Sequence, residues 1–177
     1  MKDRPKIKLE LTIADKIIEL VGWISIVLVW IFTTTHFNQI PDIIPIHFNG
    51  AGQADGFGGK ATIFTLPIIS TLLFLLLTWL NNFPQLFNFP TNITKENALQ
   101  QYIFATRLIR YTKVIVVVIF GMIEFKTIQN VNGKADGLGI WFLPIAIGMI
   151  FIPLIVYVII SKKAQKWSEK RTGHNNT

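Results

Sequence analysis

The chain has 177 residues, 51% of them hydrophobic and 15% charged, with a mean hydropathy of +0.46 and a formal net charge of +7. A soluble domain carries about 25% charged residues, so this balance excludes an ordinary soluble globule and points to a membrane. There is no cysteine, which excludes disulfides, a thiolate nucleophile and a Cys-ligated metal.

Four apolar runs, at about 17–35, 61–80, 108–128 and 140–160, read as membrane helices, because a bilayer core needs roughly 17–25 mostly apolar residues. The expected fold is one all-α integral membrane domain over 1–177 with four transmembrane helices. The first run is too long for a cleaved signal and has no small-x-small site after it, so it reads as a retained signal anchor. Between the first two runs lies Ile-Pro-Asp-Ile-Ile-Pro-Ile-His-Phe-Asn-Gly-Ala-Gly-Gln-Ala-Asp-Gly-Phe-Gly-Gly-Lys, residues 40–60. Pro41 and Pro45 bias their neighbours to extended backbone. The extended segment from Ile44 to Asn49 sets Ile44, Ile46 and Phe48 on one side and His47 with Asn49 on the other. Gly52, Gly56 and the other glycines permit sharp reversals, so the segment is expected to fold back and bring His47, Asn49 and Asp55 together, with Lys60 opening the next helix.

The connection after the second run is rich in aromatics and prolines as far as Pro90, then amphipathic. Thr94 is the expected N-cap there, and the helix it starts is expected along the membrane surface, running into the third span. That span is the most polar. Arg107, Arg110 and Lys113 crowd its start, Glu124 and Lys126 its end, and these ends are expected to snorkel to the headgroups. Near the end of the third span comes Val-Asn-Gly-Lys-Ala-Asp-Gly-Leu-Gly, which repeats the Asn-Gly and Ala-Asp-Gly-x-Gly of the first loop. Leu-Pro-Ile follows in both places, so a tandem helix–loop–helix duplication is expected. Pro153 interrupts the fourth run and frees a backbone carbonyl deep within it.

The basic residues set the orientation. With the amino terminus inside, Lys2, Arg4, Lys6, Lys8, Lys16, Lys95, Arg107, Arg110, Lys113, Lys162, Lys163, Lys166, Lys170 and Arg171 are cytoplasmic. Lys60, Lys126 and Lys134 are outside, a split of 14 to 3. That is a positive-inside pattern, with both termini cytoplasmic and two Gly/Asp-rich loops extracytoplasmic. It assigns the basic residues to anionic lipid rather than to nucleic acid.

The candidate ligand-binding residues are His47, Asn49, Asp55 and Lys60, with Pro41, Pro45, Gly52 and Gly56 setting the loop geometry. Asp42, Glu124 and Asp136 are accessory candidates at the same membrane level. Turn-forming and capping roles account for the same residue types. His36, His47 and Asp55 form a candidate metal set of N and O ligands, in a spacing that matches no metal motif. His174, in the polar tail, reads as solvated. No cofactor is expected.

The 40–60 stretch resembles the signature of the bacterial membrane family known as domain of unknown function 1648. That signature runs Leu-Pro-x-x-Ile-Pro-x-His-Phe-Asn-x-x-Gly-x-x-Asp-Gly-x-x-x-Lys. Here Ile40 stands in for the leucine, and Pro41, Ile44, Pro45, His47, Phe48, Asn49, Gly52, Asp55, Gly56 and Lys60 match. The same domain occurs in SdpI-like immunity proteins, some of which hold a transcriptional repressor at the membrane. The resemblance implies a bacterial cell-membrane protein that protects against, or senses, a secreted peptide. It covers the first span, the loop and the second span.

The expected function is therefore non-enzymatic binding of an extracytoplasmic ligand, an antimicrobial or signalling peptide, by the outer loops. A small transporter or channel is the alternative. Against it, the span centres near Ile26, Leu72, Val118 and Ile150 are apolar, and Glu19 and Glu124 lie close enough to helix ends to reach water. A further alternative is a metal-dependent enzyme at the outer leaflet, with His47 as a general base oriented by Asp55. The partners left open are a cytoplasmic protein on the basic middle loop and tail, and a second copy of the chain.

Overall fold

The structure, a computed structural model, describes residues 4–174, with side chains through Lys170. Lys2 and the side chains of Arg171 and His174 lie outside the described residues. Four helices run in chain order: α1 (Ile13–His36), α2 (Thr65–Leu80), α3 (Ala98–Val131) and α4 (Phe142–His174). Between α1 and α2 stand two strands, β1 (Ile43–Phe48) and β2 (Ala54–Gly59).

Helix α1 starts where Thr12 and Asp15 cap each other. The Thr12 hydroxyl accepts from the Asp15 amide at 3.3 Å, and the Asp15 carboxylate accepts from the Thr12 amide at 3.0 Å. Such a capping box satisfies two amides at the helix start, which have no partner within the helix. The helix therefore begins at Ile13, four residues before the apolar run. Helix α3 is 34 residues long, about 50 Å at 1.5 Å per residue. It is one continuous rod rather than a surface helix joined to a span. Its N-cap is Asn97, not Thr94. Asn97 Oδ1 accepts from the Thr94 amide at 2.9 Å, which keeps residues 94–97 in a turn and delays the helix by one turn.

The bundle is polar inside and apolar outside. Leu20, Val27, Ile31, Leu72, Leu76, Phe151, Ile152 and Ile159 are exposed, whereas Asp15, Gln101, Arg110, Lys113, Glu124 and Ser161 are buried. Among the described residues three helical segments, Ile13–Gln39, Lys60–Leu80 and Phe142–Lys170, are long and apolar enough to cross a membrane. An apolar belt of this extent is covered by lipid, and most of the buried polar groups meet one another inside the bundle. Mostly helical and multi-pass is the architecture that results. Helix α3 carries Arg107, Arg110, Lys113, Glu124 and Lys126 and sits at the centre, packed against each of the other three. Arg110 and Lys113 do not snorkel. They turn inward to meet Asp15 and Glu19 of α1.

Close approaches fix the helix contacts. A Cβ on Gly22 would lie 2.5 Å from the Phe74 ring, and one on Gly121 would lie 2.9 Å from Val29. Trp30 donates to Thr71 at 3.0 Å, tying α1 to α2, and Gln101 donates to the Ser161 carbonyl at 2.9 Å, tying α3 to α4. At one end of the bundle the N-terminal arm tucks under the middle connection. Arg4 donates to the Phe87 carbonyl at 2.6 Å, and Tyr102 donates to the Pro5 carbonyl at 3.1 Å. The hairpin and the α3–α4 loop stand at the other end.

Candidate functional site

The expected outer loop is an antiparallel hairpin. Ile44 pairs with Gly58, Pro45 with Phe57, His47 with Gly56 and Phe48 with Ala54, with irregularities on either side of His47. Those bulges break the simple alternation. Ile44 enters a core with Ile40, Ile63 and Ile128, whereas Ile46 is exposed and lies over Gly58. The expected common face of Ile44, Ile46 and Phe48 is thus divided.

Three polar groupings follow one another along the hairpin. At its base the Lys60 ammonium pairs with Asp42 at 2.8 Å and lies 5.6 Å from the centre of the Phe37 ring. The hydrogen bond from Lys60, then its charge, holds the Asp42 carboxyl below the usual aspartate range. Midway, His47 Nδ1 and Asp55 Oδ1 are 2.5 Å apart, with side chains 71% and 43% exposed. Gly56 faces His47 across the ladder, where a Cβ would come within 2.9 Å of the His47 Cβ. At the tip, Asn49 Oδ1 accepts from the amides of Ala51 and Gln53, both at 3.0 Å, while its Nδ2 donates to Gln53. Asn49 therefore closes the turn, a structural role, while His47 and Asp55 form the open pair.

The tip does not stand free. The Leu138 amide in the α3–α4 loop donates to the Gly52 carbonyl at 2.7 Å. Gly52 (φ +79°) and Gly137 (φ +105°) make this contact backbone to backbone, since a Cβ on Gly137 would fall 2.1 Å from the Gly52 oxygen. The two loops that look alike in sequence differ in conformation. Asp55-Gly56 lies in β2, whereas Asp136-Gly137 lies in an irregular segment after a helix end closed by Gly133. There the Lys134 amide reaches the Gln129 carbonyl and the Gly133 amide reaches that of Asn130, a Schellman closure.

The accessory candidates separate. Asp42 belongs to Lys60, and Asp136 is exposed in the second loop. Glu124 does not reach water. It is 1% exposed, inside the bundle, with Thr33 donating to its Oε1. His36 Nδ1 lies 2.8 Å from the Phe32 carbonyl. Among the described residues no three His, Cys, Asp or Glu side chains gather closely enough to hold a metal ion, so His36, His47 and Asp55 do not form a common ligand set. Reasoning from sequence missed Thr33, whose partner is 91 positions away, and the exposed apolar side chains Ile43, Ile46 and Phe57 on the two strands that carry His47 and Asp55. In β2 the alternation of Gly56, Phe57 and Gly58 was the available signal for Phe57.

Chemically, the hairpin offers an imidazole steadied by a carboxylate on one nitrogen and open on the other, bordered by apolar side chains. Residues 24–71 match the family model described as Domain of unknown function (DUF1648). An uncharacterized protein of Archaeoglobus fulgidus is 31% identical over 88 residues, 45% of this chain and 48% of that protein. The chain thus spans about half the length of this relative. No solved structure matches the chain. The matched residues 24–71 run from the middle of α1, through the hairpin, to the middle of α2.

Proposed function

We propose that the chain is a non-enzymatic receptor of a bacterial cell membrane that binds an extracytoplasmic peptide, antimicrobial or signalling, on its hairpin. In this reading α1 to α4 all span the bilayer, both termini are cytoplasmic, and the role is immunity or sensing of the SdpI-like kind. The distribution of basic residues supports the orientation. One observation carries the reading: the hairpin is anchored at base and tip while its middle stays open. The anchors are Ile44 in the core and Gly52 under Leu138; the open parts are the His47–Asp55 pair and Phe57, 61% exposed. A preorganised surface that mixes one polar pair with apolar shoulders suits an amphipathic peptide, because little ordering is needed on binding.

The test is survival of cells exposed to a broad panel of secreted membrane-active peptides. Wild type should protect, with His47→Ala and Asp55→Ala losing most of that protection while retaining normal membrane levels. Lack of protection by wild type, together with no binding of any panel peptide to the purified protein, would remove this reading. Since the chain has no cysteine, Ala51→Cys at the hairpin tip reports orientation. An impermeant maleimide should label it in intact cells.

The transporter alternative has one specific observation in its favour, the acid Glu124 buried in the bundle.

A further inference from the structure

Glu124 is the polar group for which the hairpin-based function has no use. It is 1% exposed, its Oε1 accepts from Thr33, and its Oε2 is buried with no hydrogen-bond partner. Thr33 is itself committed, since its hydroxyl also lies 2.8 Å from the Val29 carbonyl. Among the described residues no positive charge answers the carboxyl. On α1 the nearest titratable group is His36, taken up by the Phe32 carbonyl, and Asp15, Lys16 and Glu19 are at the far end. On the hairpin base Lys60 is held by Asp42. Helix α2 has no charged residue, and α4 has none before Lys162. Lys126, two residues along α3, points about 200° around the helix. An ionised carboxylate with a bare oxygen in a lipid-embedded interior is far costlier than a neutral one. Ionisable groups at such places mark ion or proton sites.

We propose that Glu124, with Thr33 as its hydrogen-bonding partner, is a proton-binding site inside the bundle that exchanges with the hairpin side of the protein. A metal cation fits poorly. Hard cations take about six or more oxygens, and the site brings one carboxyl and one hydroxyl, the nearby Thr127 hydroxyl being spent on the Ile123 carbonyl. A proton needs a single oxygen, and Oε2 is the one left over. The route is set by the fold. Glu124 lies seven residues before the end of α3, about 10 Å below it, and Ile128 is one turn above it. Ile128 packs with Ile40, Ile44 and Ile63, so the base of the hairpin is the plug over the acid. Loosening the hairpin opens the way to it.

Purified protein in liposomes, treated with dicyclohexylcarbodiimide, tests the site, because this apolar reagent attacks protonated carboxyls in apolar surroundings. Mass spectrometry of the peptide containing Glu124 reads the adduct. Wild type should be labelled at Glu124 in mildly acidic buffer. Labelling should fall as pH rises, by about tenfold per unit above the midpoint of a single titration. Glu124→Gln should lose that label. Gly137→Ala, which disturbs the hairpin tip, should speed labelling by a water-soluble carbodiimide several-fold. The proposal is overturned if folded wild type (judged by circular dichroism) stays unlabelled at every pH, or if labelling ignores pH. It is also overturned if sodium or potassium protects at constant pH, which would make this a metal-cation site. An unchanged rate in Gly137→Ala would overturn the route past the hairpin.

Discussion

The two ends of the bundle use ion pairs in opposite ways. At the arm end, Arg107 meets Asp15 at 3.0 Å and Lys113 meets Glu19 at 2.6 Å, with the Lys113 side chain fully buried and also donating to Thr78 at 2.7 Å. At the hairpin end, His47–Asp55 and Lys60–Asp42 are open to solvent. Buried pairs are costly to break, because the partner left behind keeps its charge without water. Exposed pairs contribute little and are readily exchanged for a ligand. One end is therefore built to hold α1, α2 and α3 together, and the other to remain available.

The largest expected effect tests the closed end. Lys113→Ala strips Glu19 and Thr78 of a buried partner and leaves a gap over the Phe74 ring, whose centre is 4.4 Å from the ammonium. The loss should be about 3–5 kcal/mol, read as a lowered midpoint of unfolding in detergent. The double variant Lys113→Met with Glu19→Gln should recover part of it, since those two charges leave together, while Arg110 loses Glu19 at 3.2 Å and keeps Asp15 at 3.9 Å. If the single variant unfolds like wild type, the arm-end network is not what holds the helices.

Next in size is the contact that joins hairpin and second loop. In Gly137→Ala the methyl would strike the Gly52 carbonyl, at a backbone angle of +105° that side chains rarely adopt. The expected local penalty is about 2–3 kcal/mol. It should appear as faster hydrogen exchange at the Leu138 amide and through residues 49–53, with little change at the arm end. Gly50→Ala is the matched control, because a Cβ there meets nothing within 4 Å. Equal exchange in both variants would mean that the tip is not held by its neighbour loop.

What could be read in the residues follows from the range of the interactions. Hydropathy is local, so the apolar stretches of α1, α2 and α4 were legible, and the family signature located the segment that folds as the hairpin. Extended geometry at Ile44–Asn49 was also legible, from Pro41, Pro45 and the alternating side chains. Its partner strand was not, because Ala54–Gly59 holds three glycines and offers little β-propensity of its own. Pairs such as Glu19 with Lys113, 94 positions apart, are invisible to a count of basic residues, which treats each lysine as solvated. Glu124 misled for a related reason. Closeness to a helix end suggested water, whereas the hairpin base lies over that end. The contact of Gly52 with Gly137 is made by main chain alone and leaves no side-chain pattern to find.

The smallest effect belongs to the base of the hairpin and carries a sign in pH. The Asp42 carboxyl lies below its usual range because Lys60 bonds to it. A carboxyl depressed in the folded state adds stability above its unfolded value, and that contribution disappears as pH falls through the folded one. The window therefore begins at the ordinary aspartate value and extends downward. The Lys60 amide, bonded to the Asp42 carbonyl at 2.8 Å, should lose exchange protection across that window in wild type. Asp42→Asn should show no such step, and its global unfolding midpoint should match wild type, because the Asp42 side chain is 89% exposed. The same variant sharpens the contrast within the open end. If peptide binding survives Asp42→Asn and fails in His47→Ala, the base pair only steadies the hairpin and the middle pair is the contact. If both fail alike, the ligand reads the whole length of the hairpin.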